Sequence, residues 1–479
     1  MVSSGSTPGI CSRFANEDRN TDRDQSLSTH NIWIQFSNES MRRALIRSSQ
    51  ISRALRSVYT RRLLLIVVVA ALGLEIVGLA EGFAASLGYP VSGAYPNIPS
   101  QFVAIASVAF PILPYVSLVM LAGALIFGVI DSARSKSETV PDSAQREETP
   151  TKFREYVLLA IAVSIAAFLV WLPRSLQSLP IGGDTLFYIS VIDTMNREGP
   201  LWAVIYTDKP FFYLTVYGMQ QLSQLSTLDF FDVLPVILAI GTTISAWFFV
   251  DSFYKTAAGY TALLTATSTS LMRTSIDLYA SFFATILLFL ILGIYLRYRD
   301  RARVRLILLL QLMLVLSLVS YWFVWGLLLV VLGVAEAMSR DRTKRIRSFL
   351  MIALPSIGVL GLFVAFALTH PPPSYWGLGS SFALYLGKAV TPSGTVTYSS
   401  ATVDLADLGS LQYNPVLPIL AVVGLYFHRP KNFPVMTLYI WSSVMLAFSL
   451  ISTTGLHAAL LIPLPVLGGL GLRRIVEMR

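Results

Sequence analysis

Charge is what this sequence has least of. Asp, Glu, Lys and Arg make up 13% of its 479 residues, against roughly 25% in an average soluble protein. A soluble chain of this length would form several domains and need far more charged surface. Cysteine is nearly missing: Cys11 stands alone, which excludes a disulfide framework and a cysteine-based metal cluster. The four histidines, His30, His370, His428 and His457, are scattered with no ligand spacing. What is abundant is apolar surface. Hydrophobic residues are 54% of the chain and come in blocks of about 17 to 30, the length that crosses a bilayer as helix. The sequence reads as an all-α polytopic membrane protein.

The formal charge of +9 suggests nucleic acid at first, but its distribution excludes that reading. Residues 41–62 hold seven arginines and no acid directly before the first apolar block, and further basic clusters lie at 297–305, 340–347, 428–431 and 473–479. Each abuts the end of an apolar block, which marks the cytoplasmic side of a membrane protein. Nucleic-acid binding would need those cations gathered on one soluble face. Membrane lipids are the expected surroundings, and 41–62 has the composition of a segment that lies on anionic lipid.

Twelve crossings are expected, at about 63–82, 102–130, 156–173, 231–250, 256–272, 277–296, 304–319, 321–338, 348–368, 414–427, 433–451 and 456–472. Pro111 and Pro114 predict a kink in the second. The organisation follows: a disordered basic cytoplasmic tail (1–61), an N-terminal two-helix hairpin (62–130), a charged cytoplasmic linker (131–155) and a larger bundle (156–479). Loops 83–101 and 369–413 carry little or no charge and fit the outside, while 131–155, 297–303 and 339–347 fit the inside. Residues 211–224 are apolar at first, but a crossing there would push the basic cluster at 297–305 outside. They are therefore expected to be a re-entrant or membrane-surface helix. Glu75, inside the first span, needs a partner within the bundle.

Carboxylates at a membrane lip are costly and point to function. The outer stretch after the third span reads Gly182-Gly-Asp184-Thr-Leu-Phe-Tyr188, then ISVIDTMNREGP, then an Asp208-Lys209-Pro210 turn. Phe187, Tyr188, Val191 and Ile192 recur at helical spacing, so 185–198 is expected to form a short amphipathic helix on the bundle. A second acid, Asp277, follows Arg273 at the next external junction. With this topology Asp184, Lys209, Arg273 and Asp277 face one compartment at one depth. A carboxylate there suits deprotonation of an acceptor or capture of a divalent cation, and the cations suit a phosphate.

These motifs resemble the GT-C membrane glycosyltransferases. A spanning helix, then Gly-Asp-Thr-Leu-Phe-Tyr, an amphipathic helix and Asp-Lys-Pro-Phe-Phe-Tyr-Leu is similar to the first outer loop of relatives of the dolichyl-phosphate-mannose protein mannosyltransferases and the aminoarabinose transferases. Residues 267–279 resemble that family's arginine-to-aspartate stretch, and Gly455-Leu-His457-Ala-Ala-Leu-Leu-Ile-Pro its last helix. The resemblance covers about 156–479. It implies a GT-C-like bundle with catalytic Asp184 and Asp277 and with Lys209, Arg273, Tyr188 and His457 at the substrate. The implied donor is a polyprenyl-phosphate sugar, and the acceptor a glycan, lipid or protein. A divalent cation, Mg²⁺ or Mn²⁺, would sit on Asp184 and Asp277, although Tyr279 stands where an Asp-x-Asp or Asp-x-Glu pair would end. No Trp-Trp-Asp-Tyr-Gly sequence occurs, so transfer of a single sugar is expected rather than of a whole oligosaccharide.

Each residue also has a structural explanation. Asp184 can cap the following helix, Asp277 can cap and pair with Arg273, Lys209 can snorkel, and His457 can sit at the interface. Tyr321, Trp322 and Trp325 read as belt or core, Tyr375 and Trp376 as weak candidates for sugar stacking. A transporter or lipid-linked-sugar flippase, and an inactive scaffold of a glycan-assembly complex, stay open as other readings. A transporter would show paired halves and broken central helices, which this sequence does not.

Overall fold

The computed structural model describes Ile66 and residues 119–130, 152–175, 185–268, 271, 274, 275, 278–300, 303–339, 341–369, 416–451 and 461–477. The tail, the first span with Glu75, the Pro111–Pro114 kink, most of the linker, Tyr375 and Trp376 lie outside the described residues. All described residues except Ile66 belong to one compact unit, Val68–Arg479. They form helices and no strand.

In chain order the helices are α1 Val119–Ile130, α2 Lys152–Ser175, α3 Thr185–Glu198, α4 Leu201–Tyr206, α5 Pro210–Ser223, α6 Thr227–Asp251, α7 Lys255–Ala266, α8 Tyr279–Asp300, α9 Val304–Ser320, α10 Trp322–Ala337, α11 Arg342–Thr369, α12 Val416–Phe427, α13 Phe433–Ile451 and α14 Leu464–Glu477. Four stretches are long and apolar enough to cross a membrane: Phe153–Leu172, Thr227–Asp251, Tyr279–Arg299 and Arg342–Ala365. Helices α1, α9, α10, α12 and α13 are apolar but shorter.

Two expected spans are cut short. The last, read as 456–472, is helix only from Leu464, after the non-helical residues 461–463, and runs on through both arginines to Glu477. Residues 256–272 read as continuous helix, yet α7 stops at Ala266. The cause is a run of hydroxyls that competes for backbone partners. Thr267 Oγ1 donates to the Leu263 carbonyl, Ser268 Oγ donates to the Thr265 carbonyl, and Ser268 Oγ accepts from the Leu271 amide. The Leu263 and Thr265 carbonyls still accept the Thr267 and Ser268 amides as well, so the hydroxyls share these acceptors with the backbone where the ladder shifts from i−4 to i−3 bonding and ends.

Helix α3 forms over the expected residues, with its buried stripe set by Thr185, Tyr188, Ile189, Val191, Ile192 and Met195. Phe187, read as part of that stripe, is 60% exposed, because position 187 lies roughly 100° round the helix from Tyr188, off the face that Tyr188, Ile192 and Met195 centre. Gly199 ends α3 at φ +92, donating its amide to the Met195 carbonyl at 2.9 Å, as left-handed glycines do past a helix end. Ser226 caps α6 by accepting from the Asp229 amide and donating to its carboxylate, at 3.2 and 2.6 Å. Thr227 Oγ1 donates to Asp193 at 2.7 Å and fastens α3 to the start of α6.

Packing is continuous through the bundle. Helices α2, α6 and α7 pack on one another, α8 lies on α6, α14 bridges α7 and α12, and α9, α10 and α11 contact one another. The α12–α14 crossing is closest at glycines: a Cβ on Gly424 would meet the Leu467 carbonyl, and one on Gly471 the Leu420 carbonyl. Small residues that let backbones touch are how helices associate in lipid. At the far end of α8, Glu336 is 1% exposed and accepts from Arg299 and from the Tyr295 hydroxyl, both at 3.0 Å, while Arg299 stacks over Phe433 at 3.8 Å.

Candidate functional site

The site is built where α3, the α4–α5 turn and the start of α8 converge. Tyr188, on the buried face of α3, is 4% exposed. Its ring lies 5.4 Å from Tyr279, 5.6 Å from Phe212 and 6.0 Å from Tyr213. Tilted and edge-to-face aromatic pairs at this spacing lock a cluster beyond simple burial. The same cluster carries the polar contact that matters most: the hydroxyls of Thr185 and Tyr279 lie 2.9 Å apart, with both residues fully buried. One contact therefore joins the start of α3 to the start of α8, across 94 residues.

Lys209 sits just before Pro210, which opens α5. Its ammonium is 3.4 Å from the Asp208 carboxylate, with the Lys209 side chain 19% exposed, and lies 5.8 Å from the centre of the Tyr321 ring. Tyr321 is the single extended residue between α9 and α10. Lys209, an expected site residue, thus lies over a tyrosine that the sequence placed only in a belt or core. Trp325 is core, donating to Ser356 Oγ at 2.9 Å.

Asp184, Arg273, Asp277 and His457 lie outside the described residues. Asp184 precedes Thr185 by one residue, and Asp277 precedes Tyr279 by two. Among the described residues no group of three or more His, Cys, Asp and Glu side chains is placed to hold a metal ion.

Two features were missed in the sequence. Arg174, at the end of α2, is 6% exposed; it donates to the Val170 carbonyl at 2.8 Å and to the Ser275 carbonyl. The available signal was its place: in the topology read from the sequence, Arg174 stands at the non-cytoplasmic end of an apolar run, against the charge rule that orders the other clusters. The second is a cavity of about 50 Å³ bordered by Thr242, Thr265, Ser268, Thr274, Thr285 and Trp441. Thr242 Oγ1 and Trp441 Nε1 are buried there without protein partners. That volume holds a few water molecules and is too small for a sugar.

No protein-family model and no curated relative matches the sequence. Among solved structures, the chain is similar to the oligosaccharyltransferase of Archaeoglobus fulgidus in the apo form, with TM-score 0.49 and 15% identity over 68% of this chain and 51% of that one. The same enzyme in complex with zinc and sulfate gives TM-score 0.49 and 16% identity over 67% and 49%. Its complex with an inhibitory peptide and a dolichol-phosphate gives 0.46 and 14% over 68% and 51%. The chain spans about half the length of these proteins. A likeness at this level fixes neither fold family nor activity for this chain.

Proposed function

We propose that this protein is a membrane glycosyltransferase of GT-C type that moves a single sugar from a polyprenyl-phosphate carrier to a glycan, lipid or protein acceptor on the outer face of the cell membrane. The carrying observation is the buried Thr185–Tyr279 hydroxyl contact. It draws together the two outer segments whose sequences hold Asp184 and Asp277, as a shared site requires. The Lys209–Asp208–Tyr321 group on the adjoining turn supports the reading with a cation near the same aromatic cluster.

In this reading Asp184 takes the proton of the acceptor hydroxyl as its oxygen attacks the anomeric carbon. The bond from that carbon to the phosphate oxygen breaks with inversion. The departing phosphate takes the electron pair, and its charge is held by Arg273 and Lys209. Asp277 supports the site from the second segment, His457 stands by the lipid phosphate, and Tyr188 stiffens the wall behind them. All twelve sequence-read crossings, with the N-terminus cytoplasmic, belong to this proposal. A divalent cation on Asp184 and Asp277 stays an expectation of the sequence.

The test is mass spectrometry of surface glycans and lipid-linked sugars from a deletion strain, complemented by wild type or by Asp184→Asn at equal expression. Loss of one sugar, restored by wild type and not by the variant, is the expected result. Full restoration by Asp184→Asn makes Asp184 a helix cap and hands the function to the scaffold or flippase readings.

A further inference from the structure

We propose that Arg174 is a positioning residue for this site, fixing the second outer segment to the end of α2; the inference rests on the function proposed above. A buried guanidinium is expensive unless hydrogen-bonded. Arg174 is nine-tenths buried, and its two terminal nitrogens are spent on backbone carbonyls, Val170 on its own helix and Ser275 on a different segment, 101 residues away. Asp232, on α6, lies within its electrostatic reach.

Ser275 is two residues after Arg273 and two before Asp277. The carbonyl that Arg174 holds is therefore in the middle of the proposed phosphate-binding and acid pair. The need for such a tether is visible beside it. Ser268 and Thr274, from the same stretch, border the 50 Å³ cavity, so side-chain packing there is incomplete. Two hydrogen bonds to fixed carbonyls supply a register that packing does not. The planar fork presents its two terminal nitrogens in fixed directions to acceptors on different segments; a lysine ammonium keeps the charge and loses that geometry. The Nε–H is buried without an acceptor, an unfavourable feature retained because the other two bonds set position.

The experiment uses the full chain in lipid nanodiscs, as wild type, Arg174→Gln and Arg174→Lys. Hydrogen exchange is followed across residues 274–278, where the Leu278 amide donates to the Thr274 carbonyl at 3.2 Å. In both variants exchange there rises at least about tenfold while α3 and the middle of α8 keep their protection. In the transfer assay kcat falls by about 100-fold and the donor KM stays within about threefold. Unchanged exchange at 274–278 overturns the proposal. So does a rise spread evenly over the helices, which would make Arg174 a general stability residue. Should Arg174→Gln fail to fold, Arg174→Lys decides alone by the same criteria. A wild-type preparation that transfers no sugar refutes the function and leaves the exchange result to judge Arg174.

Discussion

His428 shows how a single residue outside the spanning helices ties stability to pH. Its Nδ1 lies 3.0 Å from the Gly424 carbonyl and its ring meets Tyr254 edge-on at 5.5 Å. Burial lowers its pKa below the ordinary 6.5, and Arg474 adds to this, while the Gly424 bond and Glu477 oppose it. With the folded pKa depressed, the unfolded chain takes up the proton first as pH falls. The contribution is thus complete above about 6.5 and is lost on acidification toward the folded value. Thermal melts of wild type and His428→Gln between about pH 7.5 and 5.5 should show the smaller acid loss in the variant; equal losses would remove His428 as a source. Residue roles of this kind were poorly legible in the sequence. Lys209 stood out by its Asp-Lys-Pro turn, whereas Tyr321 and Arg174 gain meaning only from partners far along the chain.

At the scale of elements, local signals served well where one face or one cap decides. Helix α3 was readable from its periodicity, whereas α14 was read as 456–472 and instead runs from Leu464 through its two arginines to Glu477. The α12–α14 crossing was not read, although Gly468, Gly469 and Gly471 in one helix were in view, because which partner they admit depends on tertiary arrangement. Gly471→Ala drives a methyl into the Leu420 carbonyl, and backbone cannot swing aside as a side chain would. Overpacking of this sort costs roughly 1–3 kcal/mol. The expected outcome is a lower unfolding midpoint in detergent for Gly471→Ala, with little change for Gly218→Ala, where a Cβ has open space. The early end of α7 was missed for a different reason: the Thr-Ser-Thr-Ser run at 267–270 was read through because Leu271 and Met272 follow it, although Thr267 and Ser268 turn their hydroxyls onto the last carbonyls of the helix.

For the whole molecule, composition pointed to the class: 13% charge goes with a helical chain in which four stretches are long and apolar enough to cross a membrane. Sidedness rests on the arginine clusters and is open to direct test. On a Cys11→Ser background, Glu198→Cys should react with a membrane-impermeant maleimide on intact cells, and Asp341→Cys only after permeabilisation. The reverse pattern would invert the site and the function with it. The placing of α14 against both α7 and α12 has a consequence in time. About 200 residues separate the end of α7 from the start of α14, and at ribosomal speeds of about 5–20 residues per second that gap lasts roughly 10–40 s. Throughout it the Thr261 face of α7, which Gly469 later covers, lacks its partner. A stalled or truncated chain leaves that face bare, and it is there that a membrane chaperone or quality-control protease would recognise an unfinished copy.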